Sequence, residues 1–362
     1  MSLHERLQRH IRSSGPMSVA HYMTLCMLDP NDGYYPTRDP IGAGADFITA
    51  PEISQMFGEL IGIWLISAWE NAGKPSQLHL AELGPGKGTM MSDILRAARA
   101  VPDFSTALQV HFIEVSAALI AVQAKTLGSF ATPLRWSDSL ADTGQGPLLV
   151  VANEYLDCLP VRQFIRQQGS WFERLVDCDE GGGFQFVLDP TPLSPASLEL
   201  IPPDLRGASD DSLVEVRPGL ADLFSMLAER AKTDPVAALF IDYGPVVSEL
   251  GDTLQAVRAH KKVNPLLQPG DVDLTTRVDF AELARTARAF GFEVAGPTSQ
   301  RAWLQQMGLL ERAAALSATD TPQRAKIARQ IHRLTDADEM GVLFQCLAIG
   351  TPGTKLSVGF DV

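Results

Sequence analysis

The sequence predicts an α/β protein, a largely parallel sheet covered by helices on both faces. Three observations carry this. Short apolar runs alternate with helical patterns through the middle of the chain, which is the order of repeated strand–helix–strand units. A glycine loop, Leu83-Gly84-Pro85-Gly86-Lys87-Gly88-Thr89, joins one such run to a helical segment. Polar residues then follow the ends of the apolar runs, at Glu114, Asp138, Asn153 and Asp242.

In chain order, residues 2–30 read as helices broken at Ser14-Gly15-Pro16, followed by a turn-rich stretch over 29–47. Together 1–50 form a segment that packs on the core domain, which spans 51–350 and leaves a tail over 351–362. Thr49-Ala50-Pro51-Glu52 reads as a capping box, with Thr49 the N-cap and Glu52 three residues on. Proline in the first turn is tolerated because its missing N–H would be unpaired there anyway. The helix it opens runs from about 50 to 71 and is strongly apolar. Strands are expected at 78–83, 109–114, near 133–136, 147–152 and 236–242, with helices at 89–100, 116–127 and 219–231. The crossovers should be right-handed. Two insertions depart from the alternation: a β-meander over 161–216 and Ala-, Leu-, Arg- and Gln-rich helices over 298–336. FEVAG (292–296) and VLFQCLAIG (342–350) suit a closing antiparallel pair.

Composition narrows the class. With 362 residues, 45% hydrophobic and 20% charged, the chain has the make-up of a soluble protein with a large core. Its longest apolar stretch, LIGIWLISAW (60–69), is about half of what a bilayer requires. MSLHERLQRHIRSSG lacks the apolar centre of a secretory signal, and Glu5 counts against a transit peptide. Cys26, Cys158, Cys178 and Cys346 form no C-x-x-C pair, which points to free thiols in a reducing compartment. No histidine spacing suits a metal, so none is expected. The net charge of −13 opposes a nucleic-acid partner and favours a basic protein or peptide.

Ligands of open α/β sheets bind outside the carboxyl ends of the strands, so those ends locate the chemistry. Gly84, Gly86 and Gly88 follow the acidic Glu82. Glycine permits φ > 0 and close approach of backbone N–H groups, and the helix behind the loop turns its positive end toward an anion or carboxylate. Thr89 occupies the position where a dinucleotide fingerprint needs glycine, and the loop does not fit a P-loop either. An acidic residue two before G-x-G-x-G resembles the first motif of S-adenosylmethionine-dependent methyltransferases. Glu114 is placed to accept from ribose hydroxyls; the alternative is a helix-cap partner near Ser116. Asp138 either accepts from an adenine amino group, with Trp136 or Leu140 on the ring face, or caps the turn that follows. Asn153, Glu154 and Asp157 follow an apolar strand, where two carboxylates three apart can orient a guanidinium. Their alternative is a helix cap with one solvated acid. Asp242 and Tyr243 end the next strand at the same edge.

Eight segments resemble, in order, the family of mitochondrial complex I assembly methyltransferases and their bacterial relatives, the MidA family. They are GYYPTRDPIG (33–42), DFITAPEISQMFGEL (46–60), ELGPGKGTMMSDIL (82–95), EVS (114–116), NEYLDCLP (153–160), IDYG (241–244), GDVDLTTRVDF (270–280) and EMGVLFQCLA (339–348). Departures are mild: Ala45 and Ala50 stand where glycine and serine are common, and Tyr155, Leu156 and Cys158 replace Phe-Phe and Ala. The resemblance implies a class I methyltransferase (Rossmann-like) fold with S-adenosylmethionine at 82–88. It also implies an arginine acceptor on a respiratory complex I subunit. A cytoplasmic bacterial member is expected rather than one of the mitochondrial matrix. On that reading Glu154 and Asp157 localise the guanidinium charge and Asn153 holds the acceptor through its carbonyl. Asp46, Thr49 and Glu52 are candidates for a wall over the cofactor, or else a capped core helix. A non-catalytic assembly factor that binds the cofactor is the competing function, and a nicotinamide oxidoreductase a third.

Overall fold

A computed structural model describes residues 1–37, 49–258, 261–317 and 321–360. Its centre is a seven-stranded sheet formed by β1 (Leu78–Leu83), β2 (Leu108–Ile113), β3 (Leu134–Ser137), β4 (Leu148–Asn153), β5 (Val236–Tyr243), β6 (Glu293–Ser299) and β7 (Phe344–Gly350). The spatial order is β3-β2-β1-β4-β5-β7-β6. All neighbours from β3 to β5 are parallel, and β7 runs antiparallel to both β5 and β6. This is the class I methyltransferase arrangement, α/β with a reversed strand. The order changes direction between β1 and β4, so the crevice of the sheet opens there.

Period-two alternation divides the sheet between two cores. Leu78, Leu80, Val151, Leu239 and Ile241 face one side, where they meet Phe57, Trp64, Ile94 and Trp303. Ala81, Leu83, Val150, Ala152, Ala238 and Phe240 face the other, against Phe224, Phe280 and Leu283. Every residue of β1 and β4 is buried, which is why β4 reads as an apolar run up to Asn153 and β1 is apolar apart from His79 and Glu82. Strand register sets the edge of the crevice. Leu83 lies level with Ile113 on one side and Ala152 on the other, so Gly84, Glu114 and Asn153 leave the sheet side by side.

The expected helix over 50–71 is instead two helices. Ala50–Ile53 ends at Ser54, whose backbone is extended (φ −156°, ψ 132°), and a longer helix runs from Gln55 to Asn71. The capping box is absent: the Thr49 side chain makes no cap bond, and Ser54 Oγ accepts from Met56 N–H instead. The break is stable because Gln330, from the helix Thr321–Thr335, donates Nε2 to the carbonyl of Ile53 at 2.6 Å. That helix belongs to the helical insertion, which lies between β6 and β7 and also docks through Arg312 on the buried Glu59 at 2.8 and 2.9 Å.

Residues 162–216 form an antiparallel sheet with strands Arg162–Gln167, Ser170–Cys178, Phe184–Pro192 and Leu213–Val216; the first three run as the expected meander, but the fourth returns beside the first, which makes a Greek key instead. The N-terminal helices Leu3–Ser14 and Val19–Leu28 pack against it through Leu7, Tyr22, Met23, Val176 and Phe184. A three-stranded sheet, Gln255–Arg258, Lys261–Val263 and Asp273–Thr275, completes this lobe through Ala256 and Leu274. Its strands of three and four residues are too short to display a period. Among the described residues no helix is long and apolar enough to cross a membrane.

Candidate functional site

The loop after β1 carries three left-handed residues in alternation, Gly84 (φ 61°), Gly86 (φ 54°) and Gly88 (φ 76°). Only glycine adopts this pattern without strain. A Cβ at Gly84 would also lie 2.9 Å from the Tyr155 ring, so the loop packs directly on the segment after β4. Thr89, which opens the helix Thr89–Ala98, donates Oγ1 to Glu52 at 2.5 Å. Glu52 thus braces the glycine loop rather than capping its own helix.

Gln123, not among the residues expected from the sequence, organises the loop from the other side. It is fully buried on the helix Ala117–Leu127. Its Nε2 donates to the carbonyl of Gly86 (2.7 Å) and to Glu114 (3.1 Å), and its Oε1 accepts from the Trp136 indole (2.8 Å). Its signal in the sequence is that it is the one polar member of the buried stripe Leu119, Gln123, Leu127.

Two cavities meet at this edge, and Thr49, Gly84, Gly86 and Glu154 border both. The smaller, about 60 Å³, reaches Glu52, Glu82, Lys87 and Asn153. Glu82 is buried, and its Oε2 and the Oδ1 of Asn153 have no hydrogen-bond partner among the described residues. Burial without a partner drives the Glu82 carboxyl well above its ordinary pKa. Two buried acceptors without partners, beside a glycine loop that opens a helix, suit an amino acid moiety, whose ammonium would satisfy both. S-Adenosylmethionine ends in such a moiety, so the residues fit it.

The larger cavity, about 310 Å³, is lined by the carboxylates Glu114, Asp138, Glu154, Asp157 and Asp273 among its described residues. Glu114 Oε1 accepts from Ser116 N–H at 2.8 Å while Ser116 caps the following helix, so the cap partnership is present at a residue that also lines the cavity. Asp138 lines the cavity from an exposed position. The apolar lining there is Ile113, Val115 and Leu119. Trp136 and Leu140 do not contribute: the indole stacks on Phe112 and bonds Gln123, and Leu140 is buried in the core.

The acids after β4 differ in role. Glu154 has φ +51°, a left-handed conformation that costs a non-glycine residue energy and is kept where the surroundings enforce it. Its Oε1 accepts from Ala50 N–H (3.1 Å) and Asn153 Nδ2 (3.0 Å), and burial pushes its pKa up to about 7. Asp157 is pushed up to about 6 by burial, against the pull of Arg217 and of the Tyr243 hydroxyl. Asn153 borders the smaller cavity, away from Asp157. Asp242 does not face the cavity. It is fully buried and accepts from the N–H groups of Leu156 (2.9 Å), Asp157 (3.2 Å) and Tyr243 (2.9 Å), which makes it the anchor of the turn bearing the other acids. Tyr243 is half-buried behind the cavity lining, its hydroxyl donating to Thr275 Oγ1 at 2.8 Å. Asp46 lies outside the described residues.

Comparison with known proteins agrees with this geometry. The pattern of a family described as S-adenosyl-L-methionine-dependent methyltransferases matches residues 60–298. The mitochondrial protein arginine methyltransferase NDUFAF7 of Danio rerio is 36% identical over 378 residues, covering 96% of this chain and 87% of its own length. NDUFAF7 of Homo sapiens is 34% identical over 379 residues, covering 98% and 84%. A crystal structure of a Burkholderia thailandensis protein bound to S-adenosyl-homocysteine superposes with a TM-score of 0.86 at 26% identity, over 99% of this chain and 93% of that one. With its sheet order, its glycine loop and these relatives, the chain belongs to the family of S-adenosyl-L-methionine-dependent methyltransferases.

Proposed function

We propose that this enzyme methylates a guanidinium nitrogen of an arginine in a protein, a respiratory complex I core subunit being the acceptor we favour. One observation carries the reading. Among its described lining residues the larger cavity has five carboxylates, Glu114, Asp138, Glu154, Asp157 and Asp273, and no Lys, Arg or His. A site so charged selects a cation. The relatives called protein arginine methyltransferases support the guanidinium as that cation. Four unpaired cysteines suit a reducing setting such as a bacterial cytoplasm.

In this reading Glu82 and Asn153 hold the ammonium of the cofactor, Glu114 a ribose hydroxyl and Asp138 the adenine edge. Bound S-adenosylmethionine supplies a methyl carbon already activated by its sulfonium. The chain's own task is alignment. Glu154, at the junction of the two cavities, and Asp157 hold two edges of the guanidinium, concentrate its charge away from the attacking nitrogen, and fix that nitrogen in line with the methyl group. The Asp242 anchor keeps both carboxylates on one rigid turn. The proton released from the substituted nitrogen passes to a carboxylate of the cavity. Purified protein, labelled S-adenosylmethionine and a complex I core subunit, or peptides from its arginine-bearing segments, test the proposal. Label should enter arginine, and an Arg→Lys acceptor should be poor because lysine lacks the planar fork. Cofactor binding without transfer to any arginine would replace a catalyst with a scaffold.

A further inference from the structure

We infer that Arg217, which does not line the cavity, is a positioning residue for the acceptor site. Through Thr276 it fixes the turn of Asp157, and its charge lets the acids of that turn ionise together. This rests on the proposal that Glu154 and Asp157 hold a guanidinium. Arg217 follows the strand Leu213–Val216 and is buried at 7% exposure. Among the described residues its hydrogen bonds all go to two neighbours. Its Nη2 donates to Thr276 Oγ1 (2.6 Å), to the Thr276 carbonyl (3.4 Å) and to the Arg277 carbonyl (3.3 Å). Its Nε has no partner there, and no described carboxylate stands at ion-pair distance. Thr276 is tied in turn to the acids: its N–H donates to the Asp157 carbonyl at 2.9 Å and its hydroxyl to the same oxygen at 3.4 Å.

A buried cation that touches no anion is costly unless acids a little farther off offset it. Around Asp157 stand Glu154 and Cys158 on its own turn, Asp242 and Tyr243 from β5, and Asp273 and Tyr35 from the lobe. The Tyr35 hydroxyl, from the short helix Tyr34–Thr37, donates to Asp273 Oδ1 at 3.2 Å. Arg217 is the cation that faces this set. Glu215 faces Arg217 as well, and it accepts from Thr253 and Gln163. Burial and mutual repulsion oppose the ionisation of each further acid. Arg217 counters both: after burial it is the largest influence on Asp157, and it acts on Asp242 in the same sense. Its charge also repels an incoming guanidinium. Arg217 therefore favours binding at a pH where the acids would otherwise be protonated, and opposes it where they would be ionised without help.

The test titrates methylguanidinium into protein saturated with S-adenosylhomocysteine, at about pH 6 and about pH 8.5. Wild type should bind more tightly at the higher pH. No binding, or no such rise, would sink the arginine reading and this inference together. Arg217→Met keeps the stem and removes the charge. At the lower pH it should bind methylguanidinium about tenfold more weakly, the equivalent of one unit in the pKa of an acid. At the higher pH it should bind no more weakly than wild type. Arg217→Lys restores a charge and should recover most of the loss. Wild-type affinity of Arg217→Met at the lower pH overturns the inference and leaves the arginine reading standing. So does an equal loss at both pH values, or a loss that lysine does not recover, since these mark a merely structural residue. Thr276→Val serves if Arg217→Met does not fold. It removes the hydroxyl between the guanidinium and the turn, and should weaken methylguanidinium about threefold at the lower pH alone. Unchanged affinity there, or an equal loss at both, overturns the inference. S-Adenosylhomocysteine affinity should be kept throughout, and its loss in these variants overturns the inference as well.

Discussion

Glu154 combines a left-handed backbone, two donors on one oxygen and a pKa of about 7, and its neighbour Asp157 has a pKa of about 6. Both must be ionised to hold a cation. The free-enzyme rate constant kcat/KM should therefore rise as pH increases from about 5.5 to 7.5. A flat profile over that interval would remove both acids from substrate binding. Glu154→Gln and Asp157→Asn keep shape and lose charge, so cofactor affinity should stay and turnover fall by on the order of 10²-fold. Glu114→Ala should weaken S-adenosylmethionine by roughly 1.5–3 kcal/mol in calorimetry, and an unchanged dissociation constant would leave Glu114 as a cap partner alone. The carboxylate at 242 shows where residue type misleads. An acid past an apolar strand looks the same in the sequence whether it meets a ligand or three N–H groups of its own chain, and only the folded turn distinguishes them.

At the scale of elements, the loop Gly84–Gly88 is held by Glu52 through Thr89 and by Gln123 through the Gly86 carbonyl. Gly86→Val should abolish cofactor binding, because a branched residue at φ 54° is strained. Gln123→Leu should lower cofactor affinity about tenfold by freeing the loop, Glu114 and Trp136 from one another, with little change in helix content by circular dichroism. Normal binding by either variant would mean that the loop does not need this bracing. The sheet was readable because β1 and β4 are buried on both faces, and a short run with no polar side between two helical patterns fits little except an interior strand. The break at Ser54 was not readable, since the group that satisfies it, Gln330, is 277 residues away. The same holds for the three-stranded sheet, whose short strands acquire their meaning only from the lobe they close.

For the whole molecule, the buried acids make stability depend on pH in a definite sense. Glu154 lies above its ordinary value of 4.5, so the stabilising contribution of its neutral form is complete below pH 4.5 and is lost as pH rises through about 7. The ligand-free protein should therefore melt at lower temperature at pH 7.5 than at pH 5.5, other groups being equal. S-Adenosylhomocysteine should raise the melting temperature at both pH values, by the equivalent of about 2.7 kcal/mol at a hundred times its dissociation constant. NAD should raise it at neither. Calorimetry at two pH values checks all of this, and stabilisation by NAD alone would contradict the assigned ligand. The lobe that covers the sheet joins the first 37 residues to the strand at 273–275, and its Tyr35–Asp273 bond closes a separation of 238 residues. On the ribosome the glycine loop and its neighbouring strands emerge long before that partner does. A nascent chain thus exposes the glycine loop and the acids at 154 and 157 well before Asp242, which anchors their turn, and before the strand that closes the lobe, so the groups of the site are made early and fixed in place late.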